Sequence, residues 1–347
     1  MTLFINIIFP LLLVIFVIIS IKFLINYLNH KKILDIPNER SNHRKPIPKG
    51  AGIIIIPLLT IAILFYSILG LVSFQPWGCM VLIMLFVCGF SFYDDLVTLS
   101  SYKKLVLQSL AVFVGIVLFF REISNFVFDF SNNSAIYVNF NFLRIILILL
   151  ISIFWLWVMN LFNFMDGIDG ITSVQVIFFS MGLIIFSVLG EIAEDLKYVG
   201  IIIYSVFLGF LYWNITPSKI FIGDSGSISI GFLIGGILIF EFLIKENFVP
   251  LFLIILYYMS DTSLTLIKRI YKKNDIFAAH SEHYYQKKIR NGSSHRYVLK
   301  YIIYLNSTLL FFSVLSLSFG IFSIVSSILA VLFFILWLNK KKDGSIL

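Results

Sequence analysis

Apolar residues run along this chain in long blocks that are separated by short polar segments. A helix needs roughly 20 apolar residues to cross a bilayer. Eleven blocks approach that length, at about residues 3–28, 51–72, 77–93, 104–121, 142–162, 170–190, 197–213, 226–244, 248–267, 298–318 and 320–339. The first block lacks the basic start and the small-residue cleavage site of a signal peptide, so we interpret it as a retained span. The pattern predicts an all-α polytopic integral membrane protein with about 11 transmembrane helices.

Composition supports this fold class. The chain has 347 residues, of which 60% are hydrophobic and 13% are charged, whereas soluble domains carry about 25% charged residues. Its two cysteines, Cys79 and Cys88, lie in one apolar block, which argues against a disulfide framework or a zinc site. No separate soluble region interrupts the blocks, so we expect a single transmembrane domain over residues 1–347.

The distribution of Lys and Arg predicts the orientation. Segments that follow the odd-numbered spans hold 21 of the 26 basic residues, counting Lys104 at the edge of its span. The opposite side holds four, namely Arg121, Arg144, Lys197 and Lys245. By the positive-inside rule, the N-terminus is expected outside and the C-terminus in the cytoplasm. Since topology explains the basic loops, the net charge of +8 does not call for nucleic acid, and none is expected as a partner.

Five unusual polar segments all fall on the predicted cytoplasmic side. They are "HRKPIPKGAG" (43–52), "FYDDL" (92–96), "NFMDGIDG" (163–170), "FIGDSGS" (221–227) and "AAHSEHYYQKK" (278–288). On the other side, residues 122–142 alternate apolar and polar residues, which predicts a small β-hairpin. The shared sidedness of the five segments predicts an active site in a cleft at the cytoplasmic face.

Carboxylates and an amide are the most informative residues of these segments. Asp94 and Asp95 end a span, where acids oppose the helix dipole, which favours a functional pair over a solvated helix end. Asn163, Asp166 and Asp169 are spaced i, i+3, i+6, so on a helix they would form a slanted stripe along one side. The alternative is that Asp166 or Asp169 is the N-cap of the next span.

The segment "FIGDSGS" opens the eighth span with Asp224. A helix N-terminus suits phosphate, and a carboxylate there suits Mg²⁺ on a phosphate. The letters "GDSGS" are also typical of a serine-hydrolase loop, but no Ser-His-Asp arrangement can be assigned around this segment. His280 and His283 lie among several Lys and Arg residues, which favours phosphate binding over a metal site. We interpret His30, His43 and His295 as interfacial residues.

In this order, the pieces "PIPKGAG", "YDDL", "NLFNFMDGIDG", "FIGDSGS" and "AHSEHYYQ" resemble the polyprenyl-phosphate N-acetylhexosamine-1-phosphate transferases, of glycosyltransferase family 4 type. That family includes the phospho-MurNAc-pentapeptide transferase of peptidoglycan synthesis and the enzymes that start O-antigen, teichoic acid and N-glycan synthesis. The pieces span residues 46–286. This chain has Gly50-Ala51-Gly52 where many members have three glycines. It also lacks the three consecutive histidines of the peptidoglycan enzyme, which favours the O-antigen-initiating branch.

The resemblance implies a site and a reaction. Its residues would be Asp94, Asp95, His280 and His283 for catalysis; Asp166, Asp169, Phe221, Lys45 and Lys49 for substrate; and Asn163 and Asp224 for the metal. The implied cofactor is Mg²⁺, with Mn²⁺ as a substitute. The implied partners are undecaprenyl phosphate, a UDP-sugar and membrane lipids in the bacterial inner (cytoplasmic) membrane, and a homodimer is left open.

The expected reaction transfers N-acetylhexosamine-1-phosphate, from a 6-deoxy-HexNAc or GlcNAc donor, to undecaprenyl phosphate and releases UMP. It would initiate cell-surface polysaccharide synthesis, such as that of O-antigen lipopolysaccharide or another cell-wall polymer. A single displacement is the preferred mechanism, with a covalent phospho-Asp route as the alternative. The peptidoglycan pentapeptide transferase is the alternative substrate assignment. From another class, an ion-coupled transporter would place its acids near the membrane midplane rather than at span ends.

Overall fold

The chain folds into a bundle of helices. The computed structural model describes residues 3–37, 45–97, 99–133, 139–245, 248–275 and 280–340. Its helices are α1 (Phe9–Lys31), α2 (Gly52–Ile68), α3 (Cys79–Val97), α4 (Ser101–Leu118), α5 (Phe120–Asn133), α6 (Phe140–Phe164), α7 (Ile171–Val188), α8 (Leu196–Asn214), α9 (Asp224–Lys245), α10 (Val249–Ile254), α11 (Leu256–Tyr271), α12 (Tyr284–Arg290), α13 (His295–Leu315) and α14 (Gly320–Asn339). π-Helical turns at Phe4–Ile8 and Phe74–Gly78 lead into α1 and α3. A short antiparallel pair, β1 (Leu34–Asp35) and β2 (Ile47–Pro48), precedes α2.

The prediction of an all-α polytopic membrane protein is confirmed. Within the described residues, nine helices are long and apolar enough to cross a membrane. Two of the predicted spans differ from expectation. The span at 51–72 is the shorter apolar helix Gly52–Ile68, and the span at 248–267 is divided at Ile255 into α10 and α11. The count of eleven and the orientation remain predictions, and the basic C-terminal residues 341–347 lie outside the described residues.

The interruption of the ninth predicted span has a local reason. Helix α11 buries a polar face that includes Asp261, Thr262, Thr265 and Arg269. Asp261 accepts from the N–H groups of Tyr284 and Tyr285, and Arg269 pairs with Glu282. This helix therefore cannot present an apolar surface all round. The sequence block was long enough for a span, but the polar face makes α11 part of the protein interior.

Helix α9 lies at the centre of the bundle, and 89% of its most apolar 18-residue stretch is buried. It packs against α2, α3 and α6. At the start of α2, a Cβ on Gly52 would lie 2.2 Å from the backbone N of Gly226, so only glycine allows this close crossing. The crossing joins two of the polar motifs. The Gly50 and Ala51 N–H groups donate to the Phe221 carbonyl, and Phe221 N–H donates to the Pro48 carbonyl.

The β-hairpin predicted over 122–142 is wrong in its described part. Residues 120–133 form helix α5, and residues 134–138 lie outside the described residues. Ile123 and Val127 are buried one helical turn apart, and the Phe126 ring contacts the Phe242 ring at 4.9 Å between centroids. An apolar helical face therefore packs on α9, and the alternation in the sequence does not become a strand.

Candidate active site

A cavity of about 240 Å³ lies at one end of the bundle. It is lined by Asp35, Lys49, Asn163, Asp166, Gly167, Ile168, Asp169, Asn214, Phe221, Gly223, Asp224, Gln286 and His295. Six of these were expected at the site from sequence, namely Lys49, Asn163, Asp166, Asp169, Phe221 and Asp224. The C-terminal ends of α6 and α8 meet the N-terminal ends of α7 and α9 there. The structure thus brings all five sequence motifs to a single end of the membrane bundle, since Gln286 of the histidine motif lines the cavity and Asp95, near the end of α3, contacts the start of α9.

Asp224 stands at the first position of α9 between two lysines. Its Oδ1 lies 3.3 Å from Lys49 Nζ, and its Oδ2 lies 3.2 Å from Lys104 Nζ. Burial alone would lower the pKa of Lys49, but the Asp224 and Asp95 carboxylates raise it well above its usual range. Lys49 is therefore a permanent cation at the cavity wall. Lys45, the other lysine expected to reach substrate, is exposed and is not among the lining residues.

Asp95 binds the start of α9. Its Oδ1 accepts from Asp224 N–H at 3.0 Å and its Oδ2 from Ser225 N–H at 3.1 Å. Lys49 Nζ lies 2.9 Å from the same carboxylate, whose side chain is 2% exposed. Both oxygens are thus engaged in capping a helix whose N-terminal N–H groups lack intrahelical partners. This geometry favours positioning of Asp224 over proton transfer by Asp95.

Both carboxylate oxygens of Asp94 also have partners. Its Oδ1 accepts from Leu99 N–H at 2.6 Å, and its Oδ2 lies 2.5 Å from Lys104 Nζ. Lys104 therefore bridges Asp94 and Asp224. Lys104 was not selected from the sequence, although it lies ten residues after Asp94, in the first turn of α4. Three carboxylates and two lysines give this cluster a formal charge of −1.

The segment 163–170 is a turn and not a continuous helix. Helix α6 ends at Phe164, and α7 begins at Ile171 with Gly170 as its N-cap. The helical stripe considered from the i, i+3, i+6 spacing is therefore wrong, and so is an N-cap role for Asp166 or Asp169. The side chains nevertheless reach the same cavity because the turn curls around it.

Each polar side chain of this turn has a defined contact. Asn163 Nδ2 donates to Ser227 Oγ at 3.2 Å. Thr172 Oγ1 donates to Asp166 Oδ1 at 2.6 Å. Asp169 Oδ2 accepts from the N–H of Ser218 at 3.1 Å. The turn is thereby tied to α7, α9 and the segment after α8.

Burial raises the pKa of the Asp166 carboxyl to about 7, against smaller lowering effects of the Thr172 hydrogen bond and the Lys49 charge. Because its folded-state pKa lies above the ordinary value, this carboxyl disfavours the folded state increasingly as pH rises from about 4 to about 7. We expect the melting temperature of the wild type to fall relative to that of Asp166→Asn between about pH 4 and pH 7.

Differential scanning fluorimetry of the purified protein across this pH range measures the effect. Asp129→Asn is the matched control, since Asp129 is exposed on α5 and should leave the pH slope unchanged. Parallel slopes for the wild type and Asp166→Asn would contradict the assignment.

The predicted histidines lie beside the cavity rather than in its lining. His283 is 2% exposed, and its Nδ1 lies 3.2 Å from Asp261 Oδ1. The ring centroids of His280 and His283 are 5.2 Å apart. Burial, with repulsion from His283 and Arg269, lowers the pKa of His280 to about 4. His280 is therefore neutral at neutral pH, which argues against the cationic phosphate contact expected from sequence.

Asp261, which the sequence analysis missed, organises this corner. It is fully buried and accepts from the N–H groups of Tyr284 and Tyr285 at the start of α12. The hydroxyl of Tyr285 then donates to the Phe164 carbonyl at 3.0 Å. A Cβ on Gly167 would lie 2.2 Å from that hydroxyl, so the turn needs glycine here. The histidine motif is thus docked against the acidic turn.

Three lining residues lie outside the five polar motifs, namely Asp35, Asn214 and His295. His295 had been interpreted as interfacial, and this is wrong, since its Nδ1 lies 3.2 Å from Asp169 Oδ1. Asn214 Nδ2 donates to the Ile220 carbonyl at 3.0 Å, which orders the approach to Phe221. The position of His295 just before a predicted span was the only feature of the sequence that pointed to its contact with Asp169. No local sequence pattern distinguished Asn214.

Residues 77–241 match the sequence model of the family described as "Glycosyl transferase family 4". The match covers 165 of the 347 residues of the chain. It includes both acidic residues of α3, the 163–170 turn and Asp224, but it ends before the histidine motif.

Curated relatives agree with the family match. The chain is 31% identical over 183 residues to phospho-N-acetylmuramoyl-pentapeptide-transferases of Staphylococcus aureus strain JH9 and strain Newman. The alignment covers 49% of this chain and 56% of each relative. The chain therefore spans about half the length of the curated relatives it matches.

Proposed function

We propose that this protein transfers N-acetylhexosamine-1-phosphate from a UDP-sugar to undecaprenyl phosphate and releases UMP. The observation that carries this proposal is the cavity at the end of membrane-spanning helices in which Asp224 lies between Lys49 and Lys104. A lipid phosphate and a soluble nucleotide can both reach such a place, and its cations suit their phosphates. The family match of residues 77–241 supports the same reaction class.

The cavity also suits a nucleotide. Phe221 offers an aromatic face, and the carboxyls of Asp166 and Asp169 line the same space. A carboxylate can accept a hydrogen bond from the uracil N3–H, a donor that cytosine lacks. Asp169 already binds Ser218 N–H and His295, so Asp166 is the better placed of the two to contact a base. We therefore assign uracil recognition to Asp166 and Phe221, with Asp169 holding the segment after α8.

The donor set at the start of α9 fits Mg²⁺. Mg²⁺ on a nucleotide typically takes one or two protein carboxylates, with phosphates and waters completing its octahedron. Asp224 supplies a carboxylate that already attracts two ammonium groups, and Asn163 lines the same cavity with its amide. Among the described residues, no group of three His, Cys, Asp or Glu could hold a metal alone, which is consistent with a metal shared with substrate. When bound there, Mg²⁺ would neutralise charge on the diphosphate.

The reaction we propose is a single displacement. An oxygen of the lipid phosphate attacks the β-phosphorus of the UDP-sugar, and a new P–O bond forms as the bond to UMP breaks. UMP leaves with the bonding electron pair. Lys49 and Lys104 hold the phosphates, while Asp95 keeps Asp224 at the start of α9. A lipid phosphate that is already dianionic, with a second pKa of about 6 as in phosphoserine, needs little help from a base.

The phospho-Asp route receives less support. It would require Asp94 or Asp95 to attack phosphorus, yet all four of their oxygens have hydrogen-bond or ion-pair partners. Freeing an oxygen of Asp95 would leave an N–H group of the α9 terminus unsatisfied, which is costly when buried. The geometry therefore favours direct transfer between the two substrates.

Two sugar assignments follow from different parts of the chain. Similarity to pentapeptide transferases supports phospho-MurNAc-pentapeptide as the donor group. The family match ends at residue 241, however, and leaves out the histidine motif at 280–283, whose sequence differs from that of the peptidoglycan enzyme. We propose a 6-deoxy-HexNAc or GlcNAc donor and initiation of a surface polysaccharide such as O-antigen, with the pentapeptide donor as the second candidate.

One panel of substrates tests the proposal. Purified protein with undecaprenyl phosphate and Mg²⁺ is given UDP-linked GlcNAc, GalNAc, QuiNAc, FucNAc or MurNAc-pentapeptide, and UMP release is measured. We expect release with a HexNAc or 6-deoxy-HexNAc donor. Preference for MurNAc-pentapeptide would select the second candidate, and equal use of CDP- and UDP-sugars would contradict uracil recognition. Absence of UMP release with every donor would favour a transporter or a structural protein instead.

The orientation is a separate prediction. We propose that the protein lies in the bacterial inner membrane with the cavity facing the cytoplasm, from the asymmetry of 21 basic residues against four. A reporter that is active only outside the cytoplasm should stay silent when it follows Leu347 and should be active when it is inserted between α9 and α10. The reverse pattern would place the cavity on the side opposite to the nucleotide pool.

A further inference from the structure

A second cavity, of about 890 Å³, lies at the other end of the bundle. It is bounded by the end of α2, the start of α3, the junction of α4 and α5, the α7–α8 connection and the end of α9. From Asp224 to Ile244, α9 rises by about 30 Å at 1.5 Å per residue. The second cavity is therefore a membrane thickness away from the candidate active site, and none of its lining residues has a role in the proposed reaction.

Besides Ser67 Oγ, three polar atoms of this lining have no hydrogen-bond partner among the described residues. Trp77 is 1% exposed, and its indole Nε1 has no hydrogen-bond acceptor in the described part of the chain. The carboxylate oxygens Glu122 Oε2 and Asp195 Oδ1 are buried without a donor from the described residues. Buried polar groups of this kind are rare in native proteins because each costs about 1–3 kcal/mol. A ligand that offers both an acceptor and a donor would satisfy all three.

The charges of the lining point to the same kind of ligand. Arg121 and Glu194 are exposed at the cavity beside Glu122 and Asp195. One cation and three carboxylates suit a zwitterion with an anionic group near Arg121 and Trp77 and a cationic group near the acids. Within the described residues, no three acids converge so as to hold a metal ion. A headgroup that carries both a phosphate and an ammonium therefore fits this lining better than a divalent metal.

The apolar residues around the cavity indicate that the zwitterion is the headgroup of a lipid. Leu71, Leu118 and Phe240 line the cavity beside the polar residues. Ile68, at the end of α2, is 84% exposed, and Phe74 in the lining is 56% exposed, which is expected of side chains that face lipid. A headgroup at this level would place its acyl chains along these apolar residues.

We propose that this cavity binds the headgroup of an amine-bearing phospholipid. The phosphate would accept hydrogen bonds from the Arg121 guanidinium and the Trp77 indole N–H. The ammonium would donate to the carboxylates of Glu122 and Asp195. A primary ammonium is required, since a choline headgroup has no N–H to donate. The site would anchor the protein to one class of lipid at the face opposite the candidate active site.

Native mass spectrometry of the purified protein tests this proposal. The protein is offered equal amounts of phosphatidylethanolamine, phosphatidylglycerol and phosphatidylcholine, and bound lipid is measured. We expect phosphatidylethanolamine to be retained about 10-fold more tightly than the other two, which is the effect of one charge-assisted hydrogen bond. Equal retention of the three lipids would overturn the proposal.

Variants locate the binding. Trp77→Phe removes only the N–H donor and Glu122→Gln only a charge, and each should weaken retention of phosphatidylethanolamine about 10-fold. Trp213→Phe is the matched control, since Trp213 Nε1 already donates to the Ile18 carbonyl at 2.9 Å and should leave retention unchanged. If Trp77→Phe does not fold, Glu122→Gln and Arg121→Ala carry the test. Unchanged retention in the folded variants would refute the site.

A soluble probe separates the lipid from its headgroup. Glycerophosphoethanolamine carries the same phosphate and ammonium without acyl chains. We expect it to compete weakly with the lipid because it lacks the apolar contacts. Competition as strong as that of phosphatidylethanolamine would identify a soluble amine phosphate as the ligand and would overturn the lipid proposal. Because no residue of this cavity belongs to the proposed active site, these outcomes are independent of UMP release.

Discussion

Asp224→Asn should lower UMP release by about 10³-fold or more. This change keeps the side-chain shape but removes the carboxylate charge that holds cations at the start of α9. Removal of a preorganised charge or donor at such a site typically costs 10²–10³-fold, and the loss of metal-dependent charge neutralisation adds to this. Initial rates of UMP release at saturating Mg²⁺, compared with the wild type, measure the loss.

The fold of Asp224→Asn should survive. Lys49 keeps its contact with Asp95, and Lys104 keeps its contact with Asp94, so neither lysine is left as an unpaired buried cation. We expect a melting temperature close to that of the wild type. Asp129→Asn on exposed α5 is the control with full activity. Wild-type rates for Asp224→Asn, or for the wild type in EDTA, would contradict the metal assignment.

Asp95→Asn should lower activity by about 10²-fold and should also destabilise the protein. An amide keeps one acceptor oxygen, but its NH₂ group then faces an N–H group of the α9 terminus. Lys49 loses its closest carboxylate. Breaking a buried charge pair costs about 3–5 kcal/mol of the free energy of unfolding, so the melting temperature should fall clearly. Thermal unfolding and UMP release on the same preparation measure both effects.

The pH–rate profile decides between the two roles of Asp95. If Asp95 only positions Asp224, mutation of Asp95 should leave the shape of the pH–rate profile unchanged, because Asp95 then takes no part in proton transfer. A general base would instead remove the acidic limb of the profile and leave the melting temperature intact. Asp129→Asn, a change to an exposed acidic residue on α5, is the control for loss of a negative charge. An altered acidic limb with unchanged stability would restore Asp95 to a catalytic role.

Much of the site followed from motif chemistry. Asn163, Asp166, Phe221 and Asp224 were selected because amides, carboxylates and an aromatic ring stand at span ends on one predicted side of the membrane. They do line one cavity. Sidedness was enough, since the ends of spans on one face of a bundle are close together whatever the packing of the helices.

Packing decided which groups touch. Lys104 completes the charge cluster from α4. Because it lies at the edge of the predicted span 104–121, it was counted only among the basic residues that indicate topology. Asp261 lies in the apolar block 248–267, which was predicted to be a membrane span. Its hydrogen-bond partners lie in α12, more than 20 residues later. Partners so distant in sequence leave no spacing pattern that a single chain reveals.

The amino-acid sequence alone was enough to predict an all-α membrane protein and to select polar motifs that line one cavity, because hydrophobic length and span parity are properties of the chain. Only the tertiary structure decided that Asp95 caps α9, that Lys49 rather than Lys45 reaches the cavity, and that His295 rather than His280 lines it. Those outcomes depend on where helix ends cross, such as the contact of Gly52 with Gly226. The free energy of such crossings comes from packing between distant segments, which no local pattern contains.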